Sequence, residues 1–210
     1  TQTGHILALV LGLVPQEHRG RCVADLCALI AENGGHLTTG FLGTPWLLRA
    51  LSENGRLEDA YAPLLKEDYP SWLFQVKMGA TTVWEHWDGM KADGSLWSRD
   101  MNSFNHYAYG AVGEWMYRTI GGLETDGEAA LRGRPWQTTR YAPRPGGGIS
   151  SCRAAYRSAY GRHELAWEAA DGVFSMTCAV PPNTRGVAVL PDGSRREVGS
   201  GTHRFSCALP

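Results

Sequence analysis

In the run Ala80-Thr81-Thr82-Val83-Trp84-Glu85-His86-Trp87-Asp88-Gly89, two carboxylates, Glu85 and Asp88, stand among two indoles, Trp84 and Trp87, in a stretch that fits neither a helical nor a strand period. A pyranose offers apolar C–H faces that stack on indole and hydroxyls that bond carboxylates, so this mixture suits a carbohydrate better than a nucleotide or an anion. The competing reading is a packed loop with core tryptophans and solvated acids.

Such a loop needs elements on both sides to hold it. Downstream, Met101 to Arg118 reads as a helix capped by Asn102 or Ser103, with Phe104, Ala108, Ala111 and Trp115 on its apolar face. Asn102, Asn105 and His106 then crowd its first turn, where a helix end favours negative or hydroxyl groups. A core histidine satisfied by a backbone carbonyl is an equal alternative for His106. Upstream, His36-Leu37-Thr38-Thr39-Gly40-Phe41-Leu42-Gly43-Thr44-Pro45-Trp46 runs into a helix with Thr44 as cap and Pro45 at its first position.

Helical signals fill the rest of the first half: Pro15 to Asn33 with Val23, Leu26, Cys27 and Ile30 on one stripe, Pro45 to Glu53, Leu57 to Lys66, and Trp72 to Met78. The apolar stretch Ile6 to Val14 is too short to span a bilayer and reads as a buried helix. After Gly121-Gly122 the hydrophobic period falls to two. Phe174, Met176, Cys178 and Val180 alternate with Ser175, Thr177 and Ala179, and turns at Pro181-Pro182-Asn183 and Pro191-Asp192-Gly193 separate short strands, which predicts antiparallel β-structure. Asp126 to Tyr141 and Pro143 to Gly148 read as connection and loops.

The 210 residues carry a net charge of -1, which argues against a nucleic-acid or anionic-membrane partner. Five cysteines, an odd number without a CxxC pair, read as reduced thiols, with Cys178 and Cys207 on the apolar sides of strands. No HxH or HExxH cluster is present, so no metal site and no cofactor is expected. Reduced cysteines favour the cytoplasm.

The segments HLTTGFLGTPWLL, YPSWLFQVKMGATTVWEHWDG and MNSFNHYAYGAVGEWMYR stand in the order and spacing of the bacterial α-L-rhamnosidases of glycoside hydrolase family 78, and the chain resembles that family over nearly its whole length, most closely over residues 4 to 121. The resemblance implies a multi-domain α and β protein: helical hairpins forming the C-terminal part of an (α/α)6 catalytic barrel, residues 1–121, followed by a C-terminal antiparallel β-sandwich, residues 122–210. It implies release of terminal α-L-rhamnose from rhamnosides by inversion, without a cofactor. Glu85 occupies the general-base position of the TTxWExWD motif, and His106 matches the histidine that contacts the rhamnose or holds the site. Asp88 is then a structural or substrate-binding group, and Trp46, Trp84 and Trp87 are stacking candidates. His86 is a departure, because family members more often carry Arg there. The family's general acid lies in an upstream acidic segment that this chain does not contain. The expectation is therefore a portion that carries the base but lacks the acid, inactive alone, with the N-terminal part of the same enzyme as its partner and with exposed barrel faces through which it self-associates. Any export signal would lie upstream. Two other readings are a non-catalytic carbohydrate-binding fragment and another glycosidase or lyase on the same helical toroid.

Overall fold

Apolar residues at helical spacing build the first part of the chain. In the computed structural model, which describes residues 1–209, helix α1 (Gln2–Val10) starts where the Thr1 hydroxyl accepts from the Gly4 N–H and buries Ile6 and Leu9. Helix α2 (Gln16–Glu32) buries Val23, Leu26 and Ile30 on one stripe, and its chain leaves through Gly34 and Gly35, both at positive φ. Gln2, itself buried, ties these pieces together: its Nε2 donates to the carbonyls of Leu29 and His36, and its Oε1 accepts from the Thr38 N–H at 2.9 Å. Helices α3 (Thr44–Ser52) and α4 (Leu57–Leu65) form a second pair, and α3 also packs on α1. Helix α5 (Trp72–Lys77) is capped by the Ser71 hydroxyl, which accepts from the Phe74 N–H. Leu26, Leu47 and Leu51 are fully enclosed, so truncating any one of them to Ala costs about 2–5 kcal/mol.

Three local expectations change here. The apolar run from Ile6 does not continue as a buried helix to Val14: α1 ends at Val10, Gly12 turns at φ 68°, and Leu11 and Leu13 are 65% and 70% exposed. Gly43, not Thr44, is the cap of α3, because the Thr44 hydroxyl is engaged sideways with Thr39 and the Gly40 carbonyl. No helix begins at Asn102 or Ser103. Residues 102–107 are an irregular loop with bends, and helical turns start only at Ala108, running through a 3-10 turn (Ala108–Ala111), helix α6 (Val112–Trp115) and a π turn (Met116–Ile120). The backbone of the loop explains this. The Glu85 N–H donates to the Ser103 carbonyl at 2.9 Å and the His106 N–H to the Val83 carbonyl at 2.8 Å, so the groups a helix would have used are already paired across to residues 83–85. The Ser103 hydroxyl meanwhile accepts from the Asn105 N–H, a local turn bond that competes with helix.

By contact, the chain divides into a unit spanning Thr1–Gly113 and a second that begins at Glu114. The second contains two four-stranded sheets. One orders β1 (Leu123–Thr125), β2 (Thr138–Tyr141), β6 (Arg185–Val189) and β7 (Arg195–Val198); the other orders β3 (Ser151–Ser158), β4 (Gly161–Ala170), β5 (Val173–Val180) and β8 (Gly201–Ala208). Period-two burial is clear in β5, where Phe174, Met176, Cys178 and Val180 are all enclosed. The β4–β5 turn uses Asp171 and Gly172, both at positive φ, as a tight antiparallel hairpin requires. Gly122, at φ 66°, is obligatory: a Cβ there would lie 2.2 Å from the backbone nitrogen of Pro143.

The sheets are not purely antiparallel, because β2 pairs with β6 in parallel. Part of the stretch read as loop forms β2 and a short helix α7 (Gly127–Leu131), capped by the Asp126 carboxylate. Cys207 lies opposite Phe174 and Cys178 opposite His203, so the two thiols share a face but sit four residues apart along the strands; both are free.

Candidate active site

Residues 80–107 have little regular structure, and side chains and rings hold them instead. The two-bond ladder between residues 83–85 and 103–106 brings Glu85 and His106 into one loop cluster. On the other flank the Trp87 indole N–H donates to the Thr39 carbonyl at 2.8 Å, tying the WEHWD turn to the segment before α3. Asn102 closes the far end, its Nδ2 donating to the Gly89 carbonyl at 2.7 Å.

A chain of ring contacts runs through the cluster. Trp72 meets Trp87 edge to face at 4.8 Å, Trp87 stacks on Tyr109 at 4.2 Å, Tyr109 meets Phe41 at 5.8 Å, and Phe41 stacks on His106 at 4.8 Å, with Tyr107 stacked on the same imidazole at 5.2 Å. Each such pair contributes about 0.5–1.5 kcal/mol beyond its burial, which is how a segment without helix or strand keeps a fixed shape. The Ala108 N–H donates to His106 Nδ1 at 3.3 Å, so this network assigns the proton of the neutral ring to Nε2.

The expected site residues fall into three groups. Glu85 and His106 are half-buried, with chemical capacity to spare. Among the described residues the Glu85 carboxylate has no hydrogen-bond donor, its nearest cationic partner being His86 Nε2 at 3.9 Å, and His106 Nε2 has no protein partner. Asp88 is also half-buried, and its field together with that of Glu85 reaches the Tyr109 hydroxyl. Burial first, and then those two carboxylates, push the Tyr109 phenol up to about 12. Burial and the field of Asp88 likewise raise Tyr69.

Trp84 and Trp87 are 3% and 8% exposed, with Trp84 edge-on to Phe104, and they offer no free face for a sugar to stack on. Trp46, on α3, is 42% exposed, and among the described residues it is not part of the ring chain. His86 lies against Trp97 at 4.4 Å. Reading of the sequence passed over Phe41, Thr39 and Tyr109. Their signal was present only as an aromatic in a Gly-rich turn and a Tyr three residues after His106; neither spacing marks a site alone.

Residues 1–120 match the bacterial alpha-L-rhamnosidase 6 hairpin glycosidase domain and residues 131–205 the bacterial alpha-L-rhamnosidase C-terminal domain. The chain is 41% identical to an alpha-L-rhamnosidase of Streptomyces avermitilis, with 98% of this chain and 21% of that protein aligned. It is 35% identical to one of Formosa agariphila, with 98% and 22% aligned. The crystal structure of the Streptomyces avermitilis enzyme complexed with L-rhamnose superposes with a TM-score of 0.91 at 40% identity, covering 99% of this chain and 21% of that one. The native enzyme of Aspergillus terreus gives 0.92 at 37% identity, covering 99% and 24%. The chain thus spans about a fifth of the length of the curated relatives it matches. With both of its halves matched, in order, to the two domains, the chain belongs to the bacterial α-L-rhamnosidase family.

Proposed function

We propose that the whole protein hydrolyses terminal α-L-rhamnosides with inversion, and that Glu85 is the base that deprotonates the attacking water. Residues 1–121 are then the C-terminal part of an (α/α)6 catalytic barrel and residues 122–210 a β-sandwich. The observation that carries the reading is the state of Glu85: a carboxylate 24% exposed, without a donor among the described residues, on a loop fixed at Ser103 on one side and at Thr39 on the other. A base needs free lone pairs and a fixed position, and this group has both.

Inversion further requires an acid on the opposite face of the sugar, with the two carboxyls roughly 6.5–9.5 Å apart. Asp88, three residues along the same turn, is assigned to shaping and binding instead, and the acid to a segment outside these residues. His106 donates to a sugar oxygen through Nε2–H. Trp84 and Trp87, being buried, support the loop, while the half-exposed Trp46 is the one indole of the three free to meet a ligand.

Azide tests the assignment. In Glu85→Ala of the whole protein, azide needs no deprotonation and attacks the anomeric carbon from the side opposite the aglycone, giving β-L-rhamnosyl azide. Formation of the α-azide, or of α-rhamnose as the first product of the unmodified enzyme, rules out an inverting base at Glu85.

A further inference from the structure

Phe41 is 46% exposed, in the turn before α3, so packing into the core does not account for it. Its ring is spent on two neighbours. It stacks on the His106 imidazole with the planes 17° apart, and it meets Tyr109 at 61°. The backbone two residues earlier is the best-held point of the segment. Thr39 is 1% exposed, and its carbonyl accepts from the Trp87 indole at 2.8 Å and from the Tyr109 hydroxyl at 3.4 Å. A rigid turn therefore carries an aromatic plate to the face of an imidazole whose Nδ1 is already engaged by the Ala108 N–H. Tyr107, 86% exposed, adds a second plate with its plane 16° from that of the imidazole.

We propose that Phe41 is a positioning residue for His106: stacking fixes the plane of the imidazole so that Nε2–H is presented as a hydrogen-bond donor to one hydroxyl oxygen of the sugar. This rests on His106 contacting the sugar, as set out above. The physical gain is preorganisation. A histidine that swings about χ1 and χ2 must be ordered on binding, whereas a ring already stacked against its neighbours loses little freedom. The arrangement also gives specificity, because a sugar lacking that oxygen leaves the N–H without an acceptor.

The test is a double-mutant cycle on the full-length protein, reading L-rhamnose affinity by calorimetry and kcat and KM on an aryl α-L-rhamnoside. Phe41→Leu weakens rhamnose binding about three- to tenfold, the range of one aromatic pair, and raises KM more than it lowers kcat. Phe41→Tyr restores both, since the ring and not its edge is what His106 touches. In a His106→Ala background Phe41→Leu changes nothing further. Additive losses in the double variant overturn the proposal, because Phe41 then acts on the ligand by itself. Unchanged binding in Phe41→Leu beside weakened binding in His106→Ala overturns it too. Unchanged binding in His106→Ala overturns both the proposal and the reading of His106 beneath it. Melting temperatures of all four variants separate each result from loss of fold.

Discussion

Two histidine-centred polar clusters in this chain differ in what they have left over. Between the sheets, His163 is 0% exposed and both ring nitrogens are used, Nδ1 with the Thr139 hydroxyl at 2.9 Å and Nε2 with the Ser158 hydroxyl at 2.8 Å. In the loop cluster, His106 uses one nitrogen and Glu85 no oxygen in a hydrogen bond among the described residues. A hydroxyl against an imidazole has the outline of a nucleophile and its base, yet the Ser158 pair is backed by a threonine in place of a carboxylate, and its imidazole is fully buried with both nitrogens engaged. A buried polar group with every bond satisfied is framework; a half-exposed one with capacity to spare is available for chemistry. Thr139 lies on β2 and His163 on β4, so the satisfied cluster does its work by clamping one sheet to the other.

The sharpest way to break this distinction is to remove one polar group from each cluster. Glu85→Gln in the whole protein keeps the size and most of the polarity, and its turnover falls on the order of a hundredfold to ten-thousandfold while folding stability stays within about 0.5 kcal/mol. His163→Ala does the reverse. It leaves two hydroxyls and a cavity between the sheets, costs about 2–4 kcal/mol in urea denaturation, and leaves rhamnose affinity unchanged. A stability loss in Glu85→Gln as large as that in His163→Ala would show that the loop carboxylate is framework after all.

Acid sharpens the same contrast. Burial holds the His163 imidazole below its ordinary range. The unfolded chain takes up that proton near pH 6.5, the native chain only at lower pH, so between those points the unfolded state binds more protons. Stability from this group is therefore full above about pH 6.5 and is lost as pH falls toward the native value. Urea midpoints at pH 7.5, 6 and 5 should decline, and His163→Gln should flatten the decline. An equal slope in both proteins would assign the acid sensitivity elsewhere.

What the sequence made legible tracks how local each interaction is. Alternation from Phe174 to Val180 announces β5 because the signal sits within eight residues, and the stripe Val23, Leu26, Ile30 announces α2 for the same reason. The parallel β2–β6 pair joins Thr138–Tyr141 to Arg185–Ala188, more than forty positions away, and no period within either strand reports it. The loop at 102–107 misleads in a specific way. Asn102 and Ser103 are good helix caps by type, but the Glu85 and His106 amides decide the matter from a distance in sequence of about twenty residues. Glu85 and His106 themselves stood out through the motifs that contain them. Phe41 did not, since an aromatic in a turn reads as incidental until its neighbour is known.

The smallest effect separates ring from hydroxyl in the stack that holds the loop. Tyr109 is 4% exposed and stacks on Trp87 with the planes 15° apart, while its hydroxyl reaches the Thr39 carbonyl at a long 3.4 Å, beside the 2.8 Å bond that the Trp87 indole already makes to the same oxygen. If the rings carry the cluster, Tyr109→Phe loses only one long bond to an acceptor that is already satisfied, and stability drops by no more than about 0.5–1 kcal/mol. Tyr109→Leu also removes the stacked area and leaves a gap beside Trp87, so its loss should be about 2–4 kcal/mol, with rhamnose binding weakened in step as the loop loosens. Alkaline titration gives an independent check, because the Tyr109 phenol, held up to about 12, ionises after the ordinary tyrosines near 10. A late step in absorbance at 295 nm, after the ordinary tyrosines and before the still more strongly raised Tyr141, should vanish in Tyr109→Phe. If Tyr109→Phe were instead as damaging as Tyr109→Leu, the hydroxyl and the field of Asp88 and Glu85 around it would have to be holding the loop, and the loop would be hydrogen-bonded like the core between the sheets and not held by its rings.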